Sequence, residues 1–396
     1  MTHTRTVVTG IGFSLPGGSS WEQLIESEKN KKTGFIPWPT AGVPPFNSSK
    51  IAKINKIPTT KYLRISDTKV LNRFVIMSVN SAGDALKQSG YLDCQDSEIS
   101  NDIGCIIGTS RPEFAAYAKF IAPILDKQIS KINPLLFPLL ARSAACGQIC
   151  IRFGLRGYCP TVGFGHISGP HALIRSLEVI KQNRAKRVLV GGAETLSTLS
   201  LKHNRHLYAD YYSRMKDNTD DLLVPSEGAC FFMLESSKTA STTNSLAIIG
   251  DFKIGKLKKN SNLKESFKLV ISSLLEDARL KWNNLSFIST SLSPAKLAHE
   301  EIENQVLSSL CEENNHTPII SAPKYFIGES EACATAFQIV NAVQFVSKNG
   351  YVGRINNNER TVKTTSFGPA LVCVLDKNNN YFVQIVYPFD DLEKEL

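Results

Sequence analysis

Short apolar runs, many of them β-branched, alternate along the chain with longer stretches in which apolar positions recur every three or four residues. "RTVVTGIG", "DIGCIIGTS", "RVLVGGAE" and "ACFFMLE" read as buried strands, and "VIMSVNSAGDALKQSG" (75–90) reads as an amphipathic helix. This alternation predicts an α/β architecture. The stretch "TVGFGHISGPHALIRSLEVIKQN" (161–183) predicts a strand, a glycine-flanked elbow and an amphipathic helix, with His166 at the elbow. Such an elbow aims one side chain into a pocket.

A polar stretch, "SSKTASTTNS" (236–245), divides the chain near residue 240 and reads as a linker. Across it the elbow pattern recurs. "FGHISGPHALIRSLEVIKQN" (164–183) has the layout of "IGESEACATAFQIVNAVQFVSKN" (327–349): apolar residue, glycine, polar residue, small residues, then an amphipathic helix. A strand with a nearby glycine follows each, "RVLVGG" and "SFGPALVCVL". The expected organisation is therefore two related halves, 1–240 and 241–396, with His166 and Glu329 at equivalent elbows facing a common centre.

The composition suits a packed body: 396 residues, 42% hydrophobic and 20% charged. The start, "MTHTRTVVTGIG", runs directly into a strand without a basic and then apolar leader pattern, and no stretch reaches the roughly 18 apolar residues of a membrane span. A cytoplasmic location is expected. Nine cysteines are scattered without a CxxC pair, and Cys105, Cys230 and Cys373 lie in apolar strands as small hydrophobes, so disulfides are not implied.

The net charge of +9 is concentrated in "KIAKINKIPTTKYLR" (50–64), "KQNRAKR" (181–187) and "KIGKLKKNSNLKESFK" (253–268). Taken singly, each run reads as a solvated lysine-rich surface; together they favour an acidic partner, and with no nucleic-acid motif beside them an acidic carrier protein, not nucleic acid, is expected.

Several motifs then fix a resemblance. "VVTGIGFSLPGGSSWEQL", "NPLLFPLLARSAACGQICIRFGLRG", "VLVGGAET", "VPSEGACFFMLE" and "SAPKYFIGESEACATA" are similar, over almost the whole chain, to the β-ketoacyl-acyl carrier protein synthases of the thiolase fold. The resemblance implies duplicated α/β halves in a five-layer αβαβα arrangement that dimerises edge to edge. Active members carry a cysteine at the elbow and two histidines that stabilise the thioester oxygen and the enolate. Here the cysteine position is His166. The first histidine position falls on Ser289 in "STSLSPAKLAHEE" and the second on Glu329, with Lys324 and Gly328 aligned beside it. The family's glycine-rich gate is reduced to "SFGPALV", leaving Phe367 and Gly368 as its remnant.

Acyl storage on His166 is disfavoured because acyl-imidazoles hydrolyse readily. Malonyl decarboxylation needs donors aimed at a developing enolate, and an ionised Glu329 would repel it unless burial left that carboxyl protonated. The favoured expectation is a plug, His166 hydrogen-bonded to Glu329 across the cavity.

Other motifs carry less. "TGIGFSLPGG" misses the dinucleotide fingerprint, with Leu15 where the third glycine belongs. His203, His206 and Asp210 share a helical face but read as surface polar residues, so no metal is expected. Cys146 and Cys150 fit a buried helix seam. Phe114, Tyr117 and Phe120 lie at helical spacing, which reads as a core stripe; by the resemblance they, with Leu136 and Phe137, instead line an acyl tunnel at the dimer interface.

A synthase-like chain without its catalytic identities resembles the chain length factors, silent partners of heterodimeric ketosynthases in type II polyketide systems. That resemblance implies an active ketosynthase subunit and an acyl carrier protein as partners, singly or as a dimer of heterodimers, and no cofactor. The branch making conjugated products such as aryl polyenes fits the departure at His166. The competing class is a malonyl-carrier decarboxylase or an atypical acyltransferase.

Overall fold

The computed structural model describes residues 5–30, 34–37, 50–92, 97–111, 114–208, 223–347, 351–352 and 368–392. Its strands are β1 (Thr6–Ser14), β2 (Phe35–Pro37), β3 (Lys50–Ala52), β4 (Ile103–Gly108), β5 (Thr161–Val162), β6 (Arg187–Glu194), β7 (Gly228–Ser236), β8 (Ala247–Lys256), β9 (Phe287–Ser289), β10 (Ile319–Ser321), β11 (Ala370–Leu375) and β12 (Asn380–Pro388). All but the β2–β3 hairpin join one sheet, in the order β10-β9-β11-β12-β8-β1-β7-β6-β4-β5.

One pairing scheme occurs twice in that order. β4 is parallel to β5 and β6, and β6 is antiparallel to β7, which is antiparallel to β1. Likewise β9 is parallel to β10 and β11, and β11 is antiparallel to β12, which is antiparallel to β8. The two series meet at a short antiparallel seam, Thr6↔Ile249, Val7↔Ile248 and Val8↔Ala247. The polar stretch 236–245 is the connection from β7 to β8.

The elbow helices Ser168–Lys181 and Ala332–Val346 pack on each other, and the second touches β6 and β7 on one side and β9, β11 and β12 on the other. Both five-strand series therefore face a common central helical layer, filled by residues such as Val190, Phe232, Phe337, Val340 and Val372. Outside the first series lie the helices Arg73–Gln88 and Ala144–Phe153, packed on the sheet in a core that includes Met77, Ile107 and Phe231. Outside the second lie Leu263–Asp277 and Ala298–Glu313, packed on the sheet in a core that includes Phe267, Ile288 and Val383. The layers run helix, sheet, helix, sheet, helix. Sequence makes the outer helices self-evident: in Arg73–Gln88 the Asn72 side chain caps the first turn by accepting from Val75 N at 3.0 Å.

One expectation needs correcting. The second elbow helix is not amphipathic in the sense of facing water, because every residue from Ala332 to Val346 is buried. Its polar residues recur every third position and hold neighbouring loops. Thr335 donates to the backbone oxygen of His166 at 2.9 Å, Gln338 donates to Thr290 O, and Asn341 donates to Ser321 Oγ at 2.8 Å and accepts from Val352 N at 3.1 Å. Among the described residues no single helix is long and apolar enough to cross a membrane.

Candidate functional site

Each elbow depends on a glycine in the left-handed region, Gly165 at φ +62° and Gly328 at φ +75°, where a side chain costs energy. At Gly328 a Cβ would also stand 2.8 Å from Val224 O. The next residue in each case, His166 or Glu329, is buried. Glu329 is fixed by its backbone, which donates to Val224 O at 2.8 Å and accepts from Ser226 N at 2.9 Å.

The structure brings His166, Glu329 and Lys324 together. Lys324 Nζ lies 2.5 Å from Glu329 Oε2, while Glu329 Oε1 accepts from Glu331 N at 2.7 Å. His166 Nε2 approaches Glu329 Oε1 only to 3.8 Å and shares its hydrogen bond with the buried Tyr208 hydroxyl at 3.0 Å. The direct hydrogen bond expected between the two elbows is therefore absent. The carboxylate has a full cation and a backbone N–H at closer range, and Tyr208 supplies the imidazole's partner.

The charges are decided by this arrangement. Burial pushes His166 down to about 4, with the Lys324 and Arg111 charges adding to the effect and Glu329 and Asp376 opposing it, so the imidazole is neutral at pH 7. Burial alone would raise Glu329, but the Lys324 ammonium, assisted by hydrogen bonding, outweighs it and holds the carboxyl below its ordinary value. Lys324 is raised, because Glu329, Glu300 and Glu303 together overcome its own desolvation. Glu329 is thus an ionised acceptor, not the protonated donor that enolate stabilisation would require.

A second polar group adjoins it. Arg111 pairs with Glu331, Ser110 Oγ donates to Glu331, and Ser110 N donates to Glu194. Burial raises Glu194 to about 7 against the pull of Arg111 and Ser110. Glu331 sits at φ 44° although it carries a side chain, a conformation costing on the order of 1–3 kcal/mol, and Arg111 and Ser110 hold it there.

Sequence reasoning missed Tyr208, Arg111, Glu331 and His299. His299, at the start of helix Ala298–Glu313, is pushed to about 3 by burial, with further lowering by Lys324 and His166. It is the second-half imidazole that feels this site. Ser289, expected at the first histidine position, ends β9 opposite Ser321 and Val372, and its buried hydroxyl has no hydrogen-bond partner among the described residues.

Of the expected tunnel residues, Phe114, Tyr117 and Phe120 are half-buried on helix Phe114–Leu125. Phe120 meets Phe137 at 6.1 Å between ring centroids. Leu136 is half-buried against the first outer core, and Phe137 is 68% exposed. Phe367 lies outside the described residues, and Gly368 N donates to Ser286 Oγ at 2.9 Å on the approach to β11. His203 packs edge-on to Phe114, and Asp210 lies outside the described residues.

Comparison with known proteins agrees with this layout. The family described as Beta-ketoacyl synthase, N-terminal domain, matches residues 3–240. Nodulation protein E of Rhizobium sp. (strain N33) is 22% identical over 351 residues, covering 87% of this chain and 86% of that protein. 3-Oxoacyl-[acyl-carrier-protein] synthase 2 of Coxiella burnetii is 22% identical over 371 residues, covering 90% and 89%. Among solved structures, the ishigamide ketosynthase/chain length factor superposes with a TM-score of 0.74 at 18% identity, over 97% of this chain and 99% of its own. With the twice-used strand scheme, the paired elbows and a family match over more than half its length, the chain has a thiolase-like fold and belongs to the β-ketoacyl synthase family.

Proposed function

We propose that this chain is the non-catalytic chain length factor subunit of a heterodimeric β-ketoacyl-acyl carrier protein synthase in type II polyketide biosynthesis, in a branch making conjugated products such as aryl polyenes. One observation carries the reading. Where a synthase needs a thiolate, the elbow holds a neutral imidazole engaged by Tyr208, in front of an ionised Glu329–Lys324 pair. No acyl group is stored there, and carboxylate charge faces the place where an enolate would form.

In this role the partner supplies nucleophile and histidines, and this chain supplies one wall of the acyl tunnel through Phe114, Tyr117, Phe120, Leu136 and Phe137. The exposed apolar side chains Ile121, Ile124, Leu125, Leu135 and Phe137 mark the face the partner would cover. Acyl carrier protein, acidic by expectation, would dock on the assembled pair, and the protein would work in the cytoplasm. We place the duplication boundary at residue 240, in the connection between β7 and β8. The malonyl decarboxylase alternative ranks behind because it needs Glu329 protonated, and Lys324 prevents that.

The test uses the purified chain alone and co-expressed with an intact ketosynthase. Alone, it is expected to release no carbon dioxide from malonyl-carrier protein and to take up no covalent acyl group; together, the two chains co-elute as a heterodimer. Carbon dioxide release by the chain alone that His166→Ala abolishes would establish the enzyme reading instead.

A further inference from the structure

Four cysteines that the elbow does not use converge between the sheet and the helix layer outside it. Cys146 and Cys150 stand one turn apart on helix Ala144–Phe153, Cys105 lies within β4, and Cys159 lies two residues before β5. The sulfurs of Cys105, Cys146 and Cys150 are all within 4.8 Å of one another, and Cys159 Sγ is 3.1 Å from Cys150 Sγ. Cys105 and Cys146 are buried; Cys150 and Cys159 are partly accessible.

A buried seam explains two thiols on one helix but not the convergence of four from a strand, a helix and a loop. A disulfide between Cys150 and Cys159 would require the pair to close to about 2.05 Å and would leave Cys105 and Cys146 as bystanders. A cation held by sulfurs at about 2.3 Å places them about 3.8 Å apart, inside the span the three clustered thiols already occupy, and asks Cys159, which lies beside Cys150 but outside that group of three, to move in as the fourth ligand. Without a cation, the thiols satisfy themselves on carbonyls: Cys146 donates to Cys105 O at 3.2 Å and Cys159 to Gly157 O at 3.0 Å. Cys150 in turn donates to Cys159 Sγ at 3.1 Å. Sulfurs gathered from a strand, a helix and a loop are the kind of ligand set a soft cation takes.

We propose that Cys105, Cys146, Cys150 and Cys159 form a closed, structural four-sulfur site for one thiophilic d10 cation such as Zn2+. Four protein ligands leave no open position, so the site stabilises rather than catalyses. Binding displaces thiol protons, one from each thiol that becomes a thiolate ligand, and is therefore weakened as pH falls. The cation would tie together β4, which continues to Ser110 and Arg111, and the approach to β5, which continues to His166. It would thus brace both strands that lead into the candidate site.

Full-length protein, reduced and stripped with chelator, is titrated with Co2+ and then Zn2+. A single equivalent of Co2+ should give sulfur-to-cobalt charge-transfer absorption with tetrahedral visible bands, bleached by a single equivalent of Zn2+. Cys150→Ser and Cys159→Ser should each bind about tenfold more weakly or worse, taking ligand loss as at least as severe as loss of a supporting contact, whereas Cys311→Ser, outside the cluster, should bind as the parent does. Should a serine variant fail to fold, the unmutated protein still answers: Zn2+ should protect Cys150 and Cys159, but not Cys311, from iodoacetamide. Folded protein without thiolate absorption, or a Cys150–Cys159 disulfide that forms in glutathione buffer equally fast with and without Zn2+, would overturn the proposal.

Discussion

His166 shows how one position reports on the whole site. Its folded value of about 4 lies below the ordinary 6.5, so between these pH values the unfolded chain binds a proton that the folded chain does not. The stabilisation from keeping it neutral is present above pH 6.5 and is lost as pH falls toward 4, on the order of 3 kcal/mol. Glu194 and Glu303, raised to about 7 by burial, act in the opposite direction: their contribution is complete below 4.5 and is lost as pH rises through 7. Only a difference between variants isolates His166. His166→Gln should flatten that share of the slope, so urea denaturation of parent and variant at pH 7 and pH 4 should show the variant gaining relative stability at the lower pH. Lys324→Met tests the partner. It leaves Glu329 buried with a backbone N–H and a neutral imidazole, and should cost about 3–5 kcal/mol, with the Lys324→Met/Glu329→Gln pair recovering much of it. The elbow residues were readable from sequence because a glycine followed by a polar residue and a helix is a local pattern. Tyr208 and Arg111 were not, since they reach the elbows from 42 residues away and from the far half of the chain, and no local periodicity records such meetings.

At the scale of elements, strand and helix identities followed from apolar spacing, whereas the burial of a helix did not. Thr335, Gln338, Asn341 and Gln344 look like a wet face in the sequence, but between two sheet layers they become anchors for His166, Thr290 and Val352. The same limit applies to helix Phe114–Leu125. Its aromatic residues at helical spacing suggested a core stripe or a tunnel wall, and the fold gives them half-burial with Phe120 resting on an exposed Phe137, a setting that suits a wall completed by another chain. If bulk there limits the growing acyl chain, Tyr117→Ala or Phe120→Ala should shift products of the reconstituted heterodimer to longer chains without changing the rate of the first condensation. Mass spectrometry of carrier-bound products would show it; an unchanged product distribution would remove these residues from length control.

For the whole molecule, the decisive feature is an apolar face that the described residues leave exposed. Ile121, Ile124, Leu125, Ile129, Leu135 and Phe137 are all exposed, on helix Phe114–Leu125 and the turns that follow it, whereas most other large apolar side chains are buried in the three main cores. Exposed apolar side chains gathered in this way favour association, and Phe137, the exposed aromatic beside Phe120, is the candidate hot spot. Within the basic run 253–268, Lys253 and Lys268 are paired with Asp277 and Glu313. Phe137→Asp should therefore leave the fold intact, as the side chain is 68% exposed, while placing an unpaired carboxylate in the contact. Co-purification with the ketosynthase should fall by about tenfold or more, the loss expected for a truncated or charged hot spot, with the circular dichroism and melting temperature of the isolated chain unchanged. Retained pairing would mean that the partner sits on another face, and the tunnel wall would then have to be sought there as well.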